Sequence, residues 1–395
     1  MIPGRARSRR ADIPFRKIPM SDLLELHPIP VPRIMDIRFP ALPQMPEEGD
    51  LPDPRLVRMN LNEAPMQPSP KALAAARDAL EASHRYPDHH ATALVAAIAA
   101  ETGVARDRIV LGNGSGELLV QSAQIALEAG DDAVMPSPTF PTCGKGVQMV
   151  GARIIDVPLR ADGANDVPAM LAAMTGRTRL FYLCTPNNPT GNVLSAEELR
   201  RAIAEVPKTC LLVVDEAYFG FTALEAQSDV LALLRARSGP WVVTRTFSKA
   251  YCLAGLRIGY ALCSSADVAL GFTRIRHNFN VSRPSLAAAR AAFLDTAHLR
   301  QAVAQTVAAR ENLRRGLEAL GFTAAPSFAN FLTVRRAGPA APLADALGRE
   351  GIAVQFLPWP VPDGSLRITV GGEAEGRRLL EAMASILEAS GGGAV

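Results

Sequence analysis

A single lysine, Lys249, occupies a position where a charged side chain needs a physical reason. It follows the apolar run 241–243, which predicts a buried strand, and it lies in a turn of small residues. A lysine at the end of a core strand costs free energy unless its charge is paired or its amine is used. A desolvated lysine amine can form a Schiff base with a carbonyl compound. Lys249 is therefore our first candidate for a catalytic residue.

A second group of residues has the composition of an anion site. Residues 112–116 read G-N-G-S-G and lead from a predicted strand into a predicted helix, where free backbone N–H groups and the positive end of the helix meet. Ser248 and Arg257 add a hydroxyl and a guanidinium that could close around the same phosphate. The plain alternatives are a tight glycine turn and a surface salt bridge of Arg257.

Asp215 ends the apolar run 210–214, which predicts a central buried strand. A carboxylate there is costly unless it is paired, and a pyridinium nitrogen would pair it and keep the ring protonated as an electron sink. The alternatives are a helix cap or a structural salt bridge. Tyr218 and Asn188 could hydrogen-bond the ring oxygen, and Phe140 could stack on the ring. Together these residues predict that Lys249 carries pyridoxal phosphate.

The order of three motifs is more specific than any one of them. The chain reads P-N-N-P-T-G at 186–191, D-E-A-Y at 215–218 and S-K-A-x-x-L-A-G-L-R-x-G at 248–259. This order resembles the fold-type I pyridoxal-phosphate aminotransferases of class I/II, and within them the histidinol-phosphate aminotransferase branch. The resemblance runs from about residue 60 to the C-terminal helix. It implies an α/β fold with a large, mostly parallel sheet and a smaller α+β C-terminal domain.

The resemblance also implies a role for each matching residue. Lys249 matches the Schiff-base lysine and Asp215 the partner of the pyridine nitrogen. Tyr86, in R-Y-P-D, matches a tyrosine that reaches the phosphate of the neighbouring subunit, which implies a homodimer with shared active sites. Arg367 matches the arginine that binds the substrate α-carboxylate, with Asn188 nearby. The other cofactor residues implied are Ser115, Gly116, Phe140, Asn188, Tyr218, Thr246, Ser248 and Arg257.

Two departures from the family pattern concern the anion sites. Gly116 stands where the phosphate loop usually carries Asp or a similar polar residue. Gln355 stands where the histidinol-phosphate enzymes have an arginine that grips the substrate phosphate, and a neutral amide cannot supply charge-assisted bonds to a phosphate dianion. The following run 358–362, P-W-P-V-P, predicts a rigid apolar wall that includes Trp359. We therefore predict that an α-amino acid and a 2-oxo acid are the substrates.

Three alternatives remain at this stage. A same-fold decarboxylase, or an amino-acid cyclase or oxidase of secondary metabolism, would share every cofactor residue. A histidinol-phosphate aminotransferase proper would need another basic residue in place of the missing arginine. A ligand-binding regulator would normally need a DNA-binding extension, and eight prolines within residues 28–54 disfavour a helix-turn-helix there.

Strand and helix patterns alternate through the body of the chain, which predicts a mostly parallel sheet covered on both faces. The predicted strands cover 108–111, 132–135, 153–157, 179–184, 210–214, 241–244 and 259–263. Beyond residue 285, long helices are followed by strands at 330–334, 352–356 and 366–370. We predict a basic, proline-rich arm over 1–57, a large cofactor domain over 58–284 and a small domain over 285–395. Residues 58–90 are expected to pack partly on the small domain or on a dimer partner.

Composition excludes several classes of function. A net charge of +3 in 395 residues is too small to indicate a nucleic-acid partner or a membrane surface, and no apolar run is long enough for a membrane span. The five cysteines include no C-x-x-C pair, which favours a reducing cytoplasm, and no metal site is predicted. The first 17 residues carry six Arg or Lys and no apolar segment, which disfavours a secretory signal. We predict a mobile basic arm there, and the alternative is an organelle-targeting peptide.

Overall fold

The computed structural model describes residues 30–38, 56–225 and 228–391. The chain divides into two compact units, residues 1–37 and 38–395. In the first unit the described residues contain one short helix, α1 (Pro32–Met35). Most of the predicted arm, including its first 17 residues, lies outside the described residues. All the elements below belong to the second unit.

A seven-stranded sheet forms the centre of the second unit. The first strand of the chain, β1 (Val57–Met59), belongs to a second sheet described below. The seven strands of the large sheet are β2 (Ile109–Gly112), β3 (Asp132–Ser137), β4 (Arg153–Pro158), β5 (Thr178–Cys184), β6 (Leu211–Asp215), β7 (Trp241–Thr246) and β8 (Gly259–Cys263). Their order is β2-β8-β7-β6-β5-β3-β4. Strands β3 to β7 run parallel, and β8 is antiparallel to both of its neighbours. The predicted mostly parallel α/β sheet is therefore confirmed.

The central strands are apolar on both sides because both faces of the sheet are covered. Every residue of β6 is buried, and its successive side chains enter two different apolar clusters. Leu212 and Val214 belong to one cluster, whereas Leu211 and Val213 belong to the other. This alternation follows from the period of two of a β-strand.

Thirteen helices belong to the described part of the second unit. They are α2 (Pro70–Leu80), α3 (Thr92–Thr102), α4 (Ser115–Ala126), α5 (Thr142–Met149), α6 (Val167–Ala172), α7 (Ala196–Glu205), α8 (Phe219–Leu224), α9 (Val230–Leu234), α10 (Ala266–Ile275), α11 (Arg283–Leu294), α12 (Thr296–Ala319), α13 (Ala341–Arg349) and α14 (Glu373–Gly391). Helix α7 begins with a capping box, since Ser195 and Glu198 exchange hydrogen bonds. Within the described ranges, no helix combines the length and apolarity needed to cross a bilayer.

A second, five-stranded sheet follows in the C-terminal part. It contains β1 together with β9 (Thr323–Ala324), β10 (Phe331–Arg335), β11 (Ile352–Leu357) and β12 (Ser365–Thr369), in the order β1-β11-β12-β10-β9. Strand β1 runs parallel to β11, and the other pairs are antiparallel. Its apolar cluster includes Met59 and residues of α12 and α14.

The division of the chain at residues 57 and 284 stays a prediction. Residues 57–59 pair with the sheet of the C-terminal part. Helix α11, in contrast, contributes Ala288, Ala289 and Ala292 to an apolar cluster of the large sheet.

Candidate active site

The predicted site residues meet at one edge of the large sheet. The turn containing Asn188 follows β5, Asp215 ends β6, and Lys249 follows β7. Because these strands are parallel, their carboxyl ends lie at the same edge, where ligands of open α/β sheets bind. The register places Cys184, Asp215 and Thr244 side by side on three adjacent strands.

Asp215 is a buried carboxylate held by neutral donors. It is 1% exposed, and it accepts hydrogen bonds from Thr244 Oγ1 at 2.9 Å and from Tyr182 OH at 3.2 Å. Burial raises the pKa of Asp215 to about 6. None of the described residues forms an ion pair with it. The carboxylate therefore lacks the cation that would compensate its desolvation.

Lys249 is a partly buried amine with a weakened affinity for its proton. Its Nζ donates to the carbonyl oxygen of Asn62 at 2.7 Å and to that of Leu61 at 3.2 Å. Burial lowers the pKa of Lys249 to about 7, and the positive charges of Arg367 and Arg257 act in the same direction. A substantial fraction of the amine is therefore neutral, and so nucleophilic, near pH 7.

Arg367 lies on β12 of the small sheet and faces the turn that carries Asn188. Its Nη1 donates to Asn188 Oδ1 at 2.7 Å, and its Nη2 donates to the carbonyl oxygen of Asn60 at 2.6 Å. Its Nε is buried and has no hydrogen-bond partner in the described structure. No described acidic residue pairs with the guanidinium, so the site can accept a carboxylate there.

The glycine-rich loop packs directly against Arg257. Gly114 precedes α4 with φ +76°, and a Cβ built on it would lie 2.5 Å from Arg257 Nη2. A Cβ on Gly259 would lie 2.5 Å from the backbone nitrogen of Ser115. The positive φ of Gly114 and the backbone contact at Gly259 require glycine, and the loop brings the N–H groups at the start of α4 beside a guanidinium.

Two hydroxyls precede Lys249, one on the last residue of β7 and one in the turn that follows. Thr246 Oγ1 donates to Ser248 Oγ at 2.9 Å and accepts from the backbone N–H of Ser248 at 3.1 Å. At Gly116, a Cβ would meet only Thr142 Cγ2, at an ordinary 3.6 Å. The contacts around position 116 therefore do not require a glycine there.

The remaining predicted residues are placed less tightly. Phe140 is half-buried against one apolar cluster of the large sheet. Tyr86 is 77% exposed and stacks on Phe279 with ring centroids 4.4 Å apart. Gln355 pairs with Arg367 directly across β11 and β12, and its Nε2 donates to the carbonyl oxygen of Phe356 at 2.8 Å. Trp359 lies in the loop between these two strands.

Sequence reasoning missed four residues at this edge: Asn60, Asn62, Tyr182 and Thr244. Tyr182 lies inside an apolar run and Thr244 directly follows one, and the pairing of their strands with β6 brings both hydroxyls to Asp215. Asn62 is 2% exposed, and its Nδ2 donates to Tyr218 OH at 2.9 Å. The two asparagines of M-N-L-N-E are the only local signal for that segment.

Comparisons with known proteins agree with this arrangement. The model of the family "Aminotransferase class I and II" matches residues 54–383. A histidinol-phosphate aminotransferase 2 of Caulobacter vibrioides is 42% identical over 82% of this chain and 85% of its own length. A protein of the same name from Pseudomonas fluorescens Pf-5 is 40% identical over 87% of this chain and 92% of its own length.

A solved structure is similar over the same region. The crystal structure of histidinol-phosphate aminotransferase from Sinorhizobium meliloti, in complex with pyridoxal-5'-phosphate, matches with a TM-score of 0.78 and 32% identity. The match covers 84% of this chain and 91% of that one. From the extent of the family match and the identity to these relatives, we conclude that the chain belongs to the class I and II aminotransferase family.

Proposed function

We propose that the protein is a pyridoxal-phosphate-dependent aminotransferase that moves an amino group between an α-amino acid and a 2-oxo acid, with Lys249 as the covalent anchor of the cofactor. The resemblance predicted from the sequence is confirmed by the family match. One observation carries the proposal. An amine with a pKa of about 7 lies at the same sheet edge as a buried carboxylate, and it is close to a half-buried guanidinium; among the described residues, neither the carboxylate nor the guanidinium has a partner of opposite charge.

The residues at the sheet edge suit this cofactor. Asp215 would bind the protonated pyridine nitrogen, which supplies the cation missing from its surroundings. Tyr218 and Asn188 would bind the ring oxygen, and Phe140 would stack on the ring. The phosphate would be held at the start of α4 by Ser115, Gly116, Thr246, Ser248 and Arg257. When bound, pyridoxal phosphate supplies an electron sink that stabilises the negative charge left as a proton leaves the substrate α-carbon.

The chain's own groups would bind the substrate and move that proton. Arg367 would bind the α-carboxylate with the geometry of a planar fork. The Lys249 amine, once free, would take the α-proton and return it to a different carbon atom, and a pKa of about 7 suits both directions of transfer. Burial raises the pKa of Tyr218, so its hydroxyl stays protonated as a hydrogen-bond donor.

Gln355 favours an amino acid over a phosphorylated substrate. It lies directly opposite Arg367 in an antiparallel pair, so both side chains project from the same face of the small sheet. A neutral amide at this place gives a phosphate dianion no charged donor. The second candidate substrate is histidinol phosphate, because the relatives with 42% and 40% identity are named for it.

A half-reaction assay tests the proposal. The cofactor-loaded protein is mixed with single amino acids, and separately with histidinol phosphate, without a 2-oxo acid. We expect an α-amino acid to convert the cofactor to its pyridoxamine form, because only transamination leaves the amino group on the cofactor. Lys249→Ala should show neither turnover nor the absorbance of a lysine-bound cofactor. Release of carbon dioxide or an oxidised product without the pyridoxamine form would assign a different reaction of the same fold.

We also propose a homodimer with shared active sites. The exposure of Tyr86 and its stacking on Phe279 leave an aromatic surface that a partner subunit would cover. Sedimentation velocity measures the assembly state. Mixing Lys249→Ala subunits with Tyr86→Phe subunits should restore activity, since a hybrid dimer contains one site without either change. No gain on mixing would contradict shared sites.

We also propose a cytoplasmic location, from the chemistry of the thiols. All five cysteines are free, and four of them are buried. Buried reduced thiols suit a reducing compartment. Localisation of a tagged protein by cell fractionation tests this.

A further inference from the structure

The backbone of segment 60–62 lies between the two cations of the site. The first of its carbonyl oxygens accepts from Arg367 Nη2 at 2.6 Å, and the second and third accept from Lys249 Nζ at 3.2 and 2.7 Å. Hydrogen bonds from charged donors are the stronger class. One short stretch of backbone therefore sets the spacing between the substrate-binding guanidinium and the catalytic amine.

Asn62, the last residue of this segment, is held in an uncommon conformation. It has φ 54°, in the left-handed region that L-residues other than asparagine and aspartate rarely adopt. Such a conformation persists when the surrounding contacts impose it. Its side-chain Nδ2 donates to Tyr218 OH at 2.9 Å, which leaves the hydroxyl hydrogen of Tyr218 for another acceptor.

The hydroxyl of Thr369 fixes Asn62 at two points. Thr369 Oγ1 accepts from the backbone N–H of Asn62 at 2.9 Å and donates to Asn62 Oδ1 at 3.2 Å. Thr369 and Arg367 are two residues apart on β12, so their side chains project from the same face of the strand. The strand that carries the substrate-binding guanidinium thus also holds the residue that contacts Lys249 and Tyr218.

We propose that Asn62 and Thr369 are positioning residues of the aminotransferase reaction. Thr369 sets the position of Asn62. Asn62 in turn fixes where the Lys249 amine and the Tyr218 hydroxyl lie relative to the Arg367 guanidinium. This inference rests on the proposed function, which assigns Lys249 and Arg367 their roles. Neither Asn62 nor Thr369 needs to exchange a proton for this to hold.

Removing the hydroxyl of Thr369 should change the proton affinity of Lys249. The Asn62 carbonyl accepts a bond that favours the charged amine, whereas burial, Arg367 and Arg257 oppose that charge and Glu63 supports it. Without the Thr369 hydroxyl, the backbone N–H and the Oδ1 of Asn62 lose their partner, while Asn330 Nδ2 still donates to the Asn62 carbonyl oxygen at 3.0 Å. We expect the pKa of Lys249 to fall by about one and kcat/KM for the amino acid to fall by about tenfold.

Two substitutions at one position separate positioning from packing. Thr369→Val keeps the shape of the side chain but removes the hydroxyl, and Thr369→Ser keeps the hydroxyl but removes a methyl group. If the hydrogen bonds matter, Ser should stay within about threefold of the wild type and Val should not. If only volume matters, Ser should be the worse variant. Thr306→Val is the matched control, because its buried hydroxyl donates to the carbonyl oxygen of Ala302 within α12 and bonds no other part of the described structure.

The first measurement does not depend on the reaction. Cofactor-free protein is labelled with a trace of acetic anhydride across a pH series, and the acetylated Lys249 peptide is quantified by mass spectrometry. We expect the midpoint of labelling to move to lower pH in Thr369→Val and to stay in place in Thr369→Ser and Thr306→Val. A midpoint that is the same in all four proteins overturns the inference. If the wild type fails to transaminate, the proposed function fails, while this midpoint still reports the contact with Lys249.

A second variant keeps the test decisive if Thr369→Val does not fold. Asn62→Gly tolerates φ 54° and retains the backbone carbonyl, but it removes the bond to Tyr218. We expect a fall in kcat of about tenfold with a change of less than threefold in KM, because substrate binding at Arg367 persists. Unchanged kcat in Asn62→Gly overturns the role of the side chain.

Discussion

Asp215 should make the cofactor-free protein less stable at neutral pH than a variant without the charge. The carboxyl is 1% exposed, and burial raises its pKa from 3.8 to about 6. Its proton is therefore bound more tightly in the folded than in the unfolded state. Stability is highest below the unfolded pKa and is lost as the pH rises towards the folded pKa. A difference of about 2 in pKa corresponds to about 3 kcal/mol lost at pH 7.

The perturbation is Asp215→Asn in protein from which the cofactor has been removed. Asparagine keeps the shape and can still accept from Thr244, although Tyr182 must then accept rather than donate. Allowing for that rearrangement, we expect the variant to be about 1 to 3 kcal/mol more stable than the wild type at pH 7.5. The advantage should shrink towards pH 4, where the wild-type carboxyl is protonated.

Urea unfolding at several pH values measures both effects. Asp132→Asn is a control with the opposite expected sign, because Arg153 lowers the pKa of that carboxyl and removal of the charge should destabilise the protein at neutral pH. Adding pyridoxal phosphate should stabilise the wild type more than Asp215→Asn, since only the wild type can pair the pyridinium. If Asp215→Asn is less stable than the wild type, by the same amount at all pH values, the carboxylate carries no uncompensated charge and the reasoning is wrong.

Three further outcomes concern the anion sites. Gly114→Ala should weaken cofactor binding at least tenfold in equilibrium dialysis, because the φ of Gly114 is +76° and the new Cβ would meet Arg257 Nη2 at 2.5 Å. Gly176→Ala is the control that should bind the cofactor normally, because its Cβ would have no atom within 4 Å. Arg367→Ala should lower kcat/KM for the amino acid by roughly 10- to 150-fold, through loss of a charge-assisted bond, and an unchanged value would remove Arg367 from substrate binding. Gln355→Arg should raise kcat/KM for histidinol phosphate relative to the amino acid, and no change in this ratio would place the phosphate elsewhere.

Local sequence was enough to predict which residues meet at one edge of the large sheet. Lys249, Asp215 and the residues 112–116 each follow an apolar run, and a parallel sheet brings the ends of such runs together whatever the details of packing. The same reasoning predicted the strands of the large sheet within a few residues, because strands buried on both faces are continuously apolar. Short elements such as β1 were missed, since three residues hold too little pattern to stand out.

Contacts between distant segments could not be predicted in this way. Arg367 was assigned to a carboxylate by resemblance, but its bonds to Asn188 and Asn60 join residues 179 and 307 positions apart. No periodicity in one segment reports which backbone carbonyl will face it from another. Thr369 is likewise an ordinary strand residue in the sequence. Its hydroxyl meets Asn62 only because the small sheet packs against the segment 60–62.

The sequence by itself determined the kind of chemistry, because the lysine, the acid and the glycine loop are each recognisable beside their own strand. Tertiary structure alone decided how the amine is controlled. Lys249 has a pKa of about 7 because folding buries it and brings Arg367 near it, and these effects outweigh the carbonyl of Asn62, which accepts from its Nζ and favours the charged amine. Asn62 and Arg367 lie about 190 and about 120 residues from Lys249 along the chain. Electrostatic and hydrogen-bond energies depend on distance in space, which only the fold determines.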